Sequence, residues 1–245
     1  MAKGFDCASP LTSAAAAAFV RDGMVFVARY LVPSGWKALT QAEAKLISDA
    51  GLQLVSVFET TADRALGGRA AGLADAATAL KVAAAVGQPE GSCIYAAVDF
   101  DATAAQMSTV IEYIKAFAEA TPGYTTGVYG SYKVVEAVLA AGACSRGWQT
   151  YAWSGKKRSW KAQIYQYEND VEENGIGIDR NESYGSEGFW SLQSGSEEYV
   201  MKQEDANKVI ELLSAVWNML PNEEAKDEVH RLANELRKVS GQLVG

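Results

Sequence analysis

The stretch Ser92-Cys93-Ile94-Tyr95-Ala96-Ala97-Val98-Asp99-Phe100-Asp101 decides the fold class. Its apolar run reads as a buried strand, and the alanine-rich segment from Ala102 to Ala120 that follows reads as a helix. Together they make one βα unit of a parallel sheet. Side chains two apart on a strand share a side, so Asp99 and Asp101 are expected to converge on one site at the strand's end. Two such carboxylates repel, which raises the pKa of one and leaves a proton donor beside an anion, the arrangement that glycoside hydrolysis needs. The spacing also fits a solvated strand end or a helix N-cap, because Asp101-Ala-Thr-Ala-Ala-Gln opens a helical stretch.

The same alternation repeats along the chain. Strands are expected at Lys3 to Ala8, Met24 to Leu31, Gln53 to Thr60, Ser92 to Asp101 and Tyr124 to Ser131, then at Gly147 to Ala152, Ala162 to Glu168 and Ile176 to Asn181. Helices fit at Ser13 to Arg21, Thr40 to Ala50, Arg69 to Val86, Ala102 to Ala120 and Lys133 to Ala141. Eight strands point to an α/β fold, a TIM-like (β/α)8 barrel, and the short spacings between the last three leave no room for full helices there. A doubly wound open sheet is the alternative, but Gly67-Gly68-Arg-Ala-Ala-Gly72 follows no tight strand-turn and makes a poor phosphate loop.

After about Trp190 the pattern changes. Val209, Leu212, Leu213, Val216 and Leu220, then, past Pro221, Val229, Leu232, Leu236 and Val239 recur at helical spacing and predict an α-helical hairpin. The expected organisation is a barrel over residues 1–190, a linker over 191–202 and the hairpin over 203–245. So small a hairpin must pack on the barrel, pair with another copy, or touch a partner such as the cell wall.

Composition narrows the function. At 49% hydrophobic and 21% charged, with mean hydropathy −0.07, the chain is globular, and no apolar run reaches the ~20 residues of a membrane span. A net charge of −8, with Lys156-Lys157-Arg158 as the only basic cluster, argues against nucleic acid. Cys7, Cys93 and Cys144 lack paired spacing, and with His230 the single histidine neither a zinc site nor a Cys/His pair is expected. No metal and no other cofactor is expected. The N-terminus runs straight into a strand, so no secretory signal peptide is expected, and action at the cell wall would follow release or non-classical export.

In a βα barrel, function gathers at the C-terminal strand ends. Asp6, Glu59, Asp99, Asp101 and Asp179 stand there as candidate catalytic acids. Arg29, Tyr30, Tyr129, Trp148, Tyr165, Gln166 and Tyr167 stand beside them as candidate substrate-binding residues. Acids interleaved with aromatic side chains suit a sugar, whose rings stack on aromatic faces. Trp153 and Trp160 lie in the same late region and could extend such a wall.

These residues carry a resemblance. Gly4-Phe5-Asp6, the pair Asp99 and Asp101, Ile164-Tyr165-Gln166-Tyr167 and Gly177-Ile178-Asp179-Arg180-Asn181 resemble, in this order and over about residues 3 to 190, the glycoside-hydrolase-like domain family 1906 (domain of unknown function 1906), a relative of the family 25 lysozymes. The resemblance implies a barrel with shortened late helices that acts on or binds peptidoglycan or another N-acetylated glycan. It also implies that Asp6, Asp99 and Asp179 are the site acids, and that Asp101 stands where those lysozymes use glutamate. A donor one methylene shorter sits about 1 Å off, which can cost ~100-fold in rate, and Glu59 could compensate from the neighbouring strand. Leu232-Ala-Asn-Glu-Leu-Arg-Lys238 is similar to tails of endolysins from Gram-positive bacteria and their phages. Three expectations follow: a lysozyme-like glycosidase, a cell-wall-binding barrel that has lost the chemistry, or an assembly protein driven by the hairpin.

Overall fold

The structure, a computed structural model, describes residues 1–192 and 203–242. Eight strands close a barrel in sequence order: β1 (Ala2–Asp6), β2 (Met24–Tyr30), β3 (Gln53–Phe58), β4 (Cys93–Ala97), β5 (Thr125–Gly130), β6 (Arg146–Thr150), β7 (Ile164–Glu173) and β8 (Ile176–Ser183). Helices α1 (Ser13–Arg21), α2 (Gln41–Asp49), α3 (Gly68–Val86), α4 (Met107–Glu119) and α5 (Tyr132–Ala140) follow the first five strands. Among the described residues no helix follows β6 or β7, as their short spacing requires.

The last strand differs from a strict βα barrel. β1 to β7 run parallel, whereas β8 is antiparallel to both β7 and β1. The cause is local: Asn174 and Gly175, the two residues between β7 and β8, have φ of 52° and 75°. Two left-handed residues in succession are what a type I′ hairpin demands, so the chain reverses there instead of crossing over. Asp179 therefore does not sit at the C-terminal end of a parallel strand. It lies in the first half of a reversed one, in register with Asp6.

Alternation along each strand sorts side chains between two cores. Phe26, Val55, Val57, Tyr95 and Trp148 fill the barrel, while Phe5, Val27, Leu54, Phe58 and Ile94 pack outward with the helices. The interior pairs large residues with none. A Cβ at Gly127 would lie 2.4 Å from the Tyr95 ring, and one at Gly4 equally close to Phe26. Tyr95 cannot yield, because its ring meets Trp148 edge-on at 5.8 Å and its hydroxyl donates to the Glu187 carbonyl at 2.9 Å. Gly127→Ala is expected to cost about 1–3 kcal/mol of stability by overpacking, measurable by denaturant titration.

Residues after β8 cover the end of the barrel where the strands begin. Phe189 stacks on Phe26 at 4.9 Å, Trp190 exchanges backbone hydrogen bonds with Leu54, and its indole donates to Ser56 at 3.0 Å. Contacts divide the chain into two compact units after Ser194. In the second, α6 (Gln203–Trp217) and α7 (Glu223–Val239) pack on one another, with Asn222 capping α7. Of the expected linker, residues 193–202 lie outside the described residues.

Candidate active site

At the end of the barrel where β1 to β6 finish and β7 runs on into its hairpin with β8, a cavity of about 230 Å³ opens. Four carboxylates line it: Asp6 from β1, Glu59 just past β3, Asp99 two residues past β4, and Asp179 from β8. Tyr30, Tyr129, Trp148 and Gln166 complete the wall that the sequence indicated, and all continue the inward-facing series of their strands.

A buried amide network fixes the first pair of acids. Asp6 Oδ2 accepts from Asn181 Nδ2 at 2.7 Å and from Gln166 Nε2 at 2.9 Å, and the same Gln166 nitrogen reaches Asp179 Oδ2 at 3.1 Å. The amides are held in turn: Tyr129 OH donates to Gln166 Oε1 at 2.9 Å, and Trp148 Nε1 donates to Asn181 Oδ1 at 2.8 Å. Burial and the facing Asp179 charge raise the Asp6 pKa against the lowering effect of these amide hydrogen bonds. Burial also raises Asp179, opposed by the Asp170 N–H that donates to it at 2.9 Å.

The second pair is Asp99 and Glu59. Burial, then the Glu59 charge, push Asp99 up to about 6, while Lys37 pulls the other way. Lys37 Nζ lies 3.2 Å from Glu59 and 4.1 Å from the centre of the Tyr30 ring. The Asp99 carboxyl, ordinarily near 3.8, thus binds its proton more tightly in the folded chain. Below about pH 4 it is protonated folded or unfolded and costs nothing. Between pH 4 and 6 the folded state loses stability as ionisation is forced on it, and above 6 the cost is constant. Asp99→Asn is therefore expected to melt higher than wild type at pH 8 and equally at pH 3.5, by thermal denaturation in matched buffers.

Other expected site residues lie elsewhere. Asp101 does not join Asp99: β4 ends at Ala97, so the two-residue alternation no longer holds, and Asp101 points to the surface, 3.3 Å from Lys133. Neither does it open a helix, since α4 starts at Met107. Arg29 has the wrong parity, between inward-facing Ala28 and Tyr30, and is fully buried on the outer side of the barrel. There its guanidinium pairs with Glu43 of α2 at 2.7 Å and donates to the carbonyls of Cys7 and Ala8. Tyr165 and Tyr167 flank Gln166 with the opposite parity. Tyr165 stacks under the Arg158 guanidinium at 4.7 Å, and Tyr167 is exposed. Trp160 is also exposed, outside the cavity lining.

Trp153 lines the cavity as its late position suggested, whereas Lys37, Asn169 and Asn181 are not placed at the site by the sequence reading. Asn181 was legible, being two residues from Asp179 on one strand. Lys37 comes from an irregular loop with no periodic signal. Asn169 owes its place to bulges: Asn169 and Asp170 together stand opposite the single Asp179, with Asp170 at φ 58°.

Residues 17–183 match the Rv2525c-like, glycoside hydrolase-like domain family. The chain belongs to that family. A relative in Mycobacterium tuberculosis (strain H37Rv), Rv2525c, whose name provisionally calls it a peptidoglycan hydrolase, is 30% identical over 154 residues, 60% of this chain. The chain spans about three fifths of that curated relative, 63% of its length. The crystal structure of Tat-secreted Rv2525c with L-tartrate superposes with a TM-score of 0.71 at 25% identity, covering 78% of this chain and 99% of that one. The bacterial lysozyme of Streptomyces coelicolor shares the fold, with a TM-score of 0.54 at 15% identity over 76% of this chain and 93% of its own. Among the described residues of this family member, no helix is long and apolar enough to cross a membrane.

Proposed function

We propose that the chain is a lysozyme-type glycoside hydrolase acting on the glycan strands of bacterial peptidoglycan. The observation that carries this reading is the convergence of Asp6, Glu59, Asp99 and Asp179 on one cavity, with Asp99 at about 6 beside Glu59. A carboxyl that keeps its proton near neutrality beside a second carboxylate is the pairing that protonates a glycosidic oxygen and stabilises the positive charge left on the sugar. Asp99 is the acid. Glu59 is the facing carboxylate, and the amide-bound Asp6 and Asp179 hold the substrate, whose own acetamido group can serve as nucleophile. The name of the M. tuberculosis relative and the lysozyme fold support this substrate. The setting is the cell wall, which the helical hairpin would contact, and an endolysin role fits the same chemistry.

The test is the release of new reducing ends from purified peptidoglycan, with a rate that falls as pH rises through about 6 and Asp99 loses its proton. Sacculi that gain no reducing ends at any pH would end this reading. The ion pair that Lys37 makes with Glu59 favours a second one, a barrel that binds the wall without cutting it. It is recognised by co-sedimentation with sacculi in the absence of cleavage.

A further inference from the structure

Beside the acids the cavity carries two features that proton transfer does not use. The first is Asn169, whose Oδ1 is buried and accepts no hydrogen bond from the protein. A buried acceptor without a donor is costly, and such atoms persist where a ligand supplies the partner. The second is Trp153, a large apolar side chain that lines the same cavity and is 45% exposed. Its φ of 53° places a bulky residue in the left-handed region, a strained conformation held in place by its surroundings. The restraint is Ser154: its buried hydroxyl donates to the Thr150 carbonyl at 2.6 Å and accepts from the Tyr132 N–H at 2.9 Å. The backbone that carries the indole is thus held at the rim of the cavity.

We propose that Trp153 and Asn169 form a recognition subsite for an N-acetylated sugar, with the ring stacked on the indole and the acetamido N–H donated to Asn169 Oδ1. This rests on the glycan reading above and adds the residues that select the 2-substituent. An acetamido group suits the place on two counts. Its N–H supplies the donor that the orphaned oxygen lacks, and its methyl prefers the apolar side of the cavity to water. The bulge that aims Asn169 inward is also the one that gives Asp179 its backbone N–H, so recognition and acid positioning share one piece of β7.

The experiment is calorimetric titration of the full chain with the tetramer of β-1,4-linked N-acetylglucosamine and with the tetramer of β-1,4-linked glucose, which differ only at the 2-substituent. The N-acetylated tetramer is expected to bind more tightly, and Asn169→Ala to weaken it by about tenfold while changing the glucose tetramer less than twofold. Trp153→Gly removes the platform at a φ glycine adopts freely, so it is expected to keep or raise stability while weakening both tetramers about tenfold or more. Asn169→Ala binding both as wild type does, or weakening both equally, overturns the acetamido assignment and leaves the glycosidase reading standing. Unaltered binding by Trp153→Gly overturns the platform. If wild type binds neither tetramer, the subsite falls, and the release of reducing ends from purified peptidoglycan decides the glycan reading separately.

Discussion

Arg29→Met is expected to destabilise the barrel by about 3–5 kcal/mol, because it removes one partner of a buried ion pair and leaves the other charged and dry. Arg29 is fully buried and Glu43 nearly so. The guanidinium binds both carboxylate oxygens of Glu43, at 2.7 and 3.2 Å, while a third N–H group reaches Ala8 O at 3.1 Å and also Cys7 O. Glu43 in turn accepts from the Leu11 N–H at 3.0 Å. One cation thus ties α2 to the loop that follows Asp6. Against a total stability of roughly 5–15 kcal/mol for a domain, a loss of that size is a large share. Chemical denaturation measures it. The double variant Arg29→Met/Glu43→Leu should recover the part of the loss that comes from the uncompensated charge, and not the part that comes from the Leu11 N–H and the Cys7 and Ala8 carbonyls it leaves without partners. A single variant as stable as wild type would mean that the pair is solvated in solution.

Asp99→Asn is expected to lower glycan cleavage by about 10³-fold, within the range for removing a general acid. An amide keeps the shape and the backbone hydrogen bond to the Ala62 carbonyl at 3.2 Å but has no proton to give. The same change relieves the strain of ionising a desolvated carboxyl next to Glu59, so activity and stability are expected to move in opposite directions above pH 6. Simultaneous loss of both would mean that the substitution disrupts the fold and says nothing of chemistry.

Much of this was legible from residue order. The strands and the first five helices follow from apolar runs alternating with alanine-rich stretches; α1 falls at Ser13–Arg21, and the others lie within a few residues of expectation except at the start of α4. Asp6, Glu59, Asp99 and Asp179 could be gathered because a barrel brings strand ends together whatever their separation in sequence. Parity was the information left unused. Treating every residue near a strand end as a site residue put Arg29, Tyr165 and Tyr167 in the cleft, although strict alternation sends them outward beside Tyr30 and Gln166. Applied past the end of β4, the same rule misplaced Asp101, since periodicity ends with the hydrogen-bonded ladder. Asn174-Gly175 is a strong hairpin signal and could have revealed the reversal of β8. The bulge at Asn169 and the strained turn at Trp153 depend on tertiary packing and leave no local pattern to read.

The most direct test compares Asp99→Asn with Asp101→Asn in one assay, counting reducing ends released from purified peptidoglycan at about pH 5. With Asp99 in the cavity and Asp101 on the surface beside Lys133, Asp101→Asn should cleave within about twofold of wild type and Asp99→Asn should be nearly silent. Equal loss in both variants, or an active Asp99→Asn, would contradict the assignment of Asp99 as the acid of this cleft.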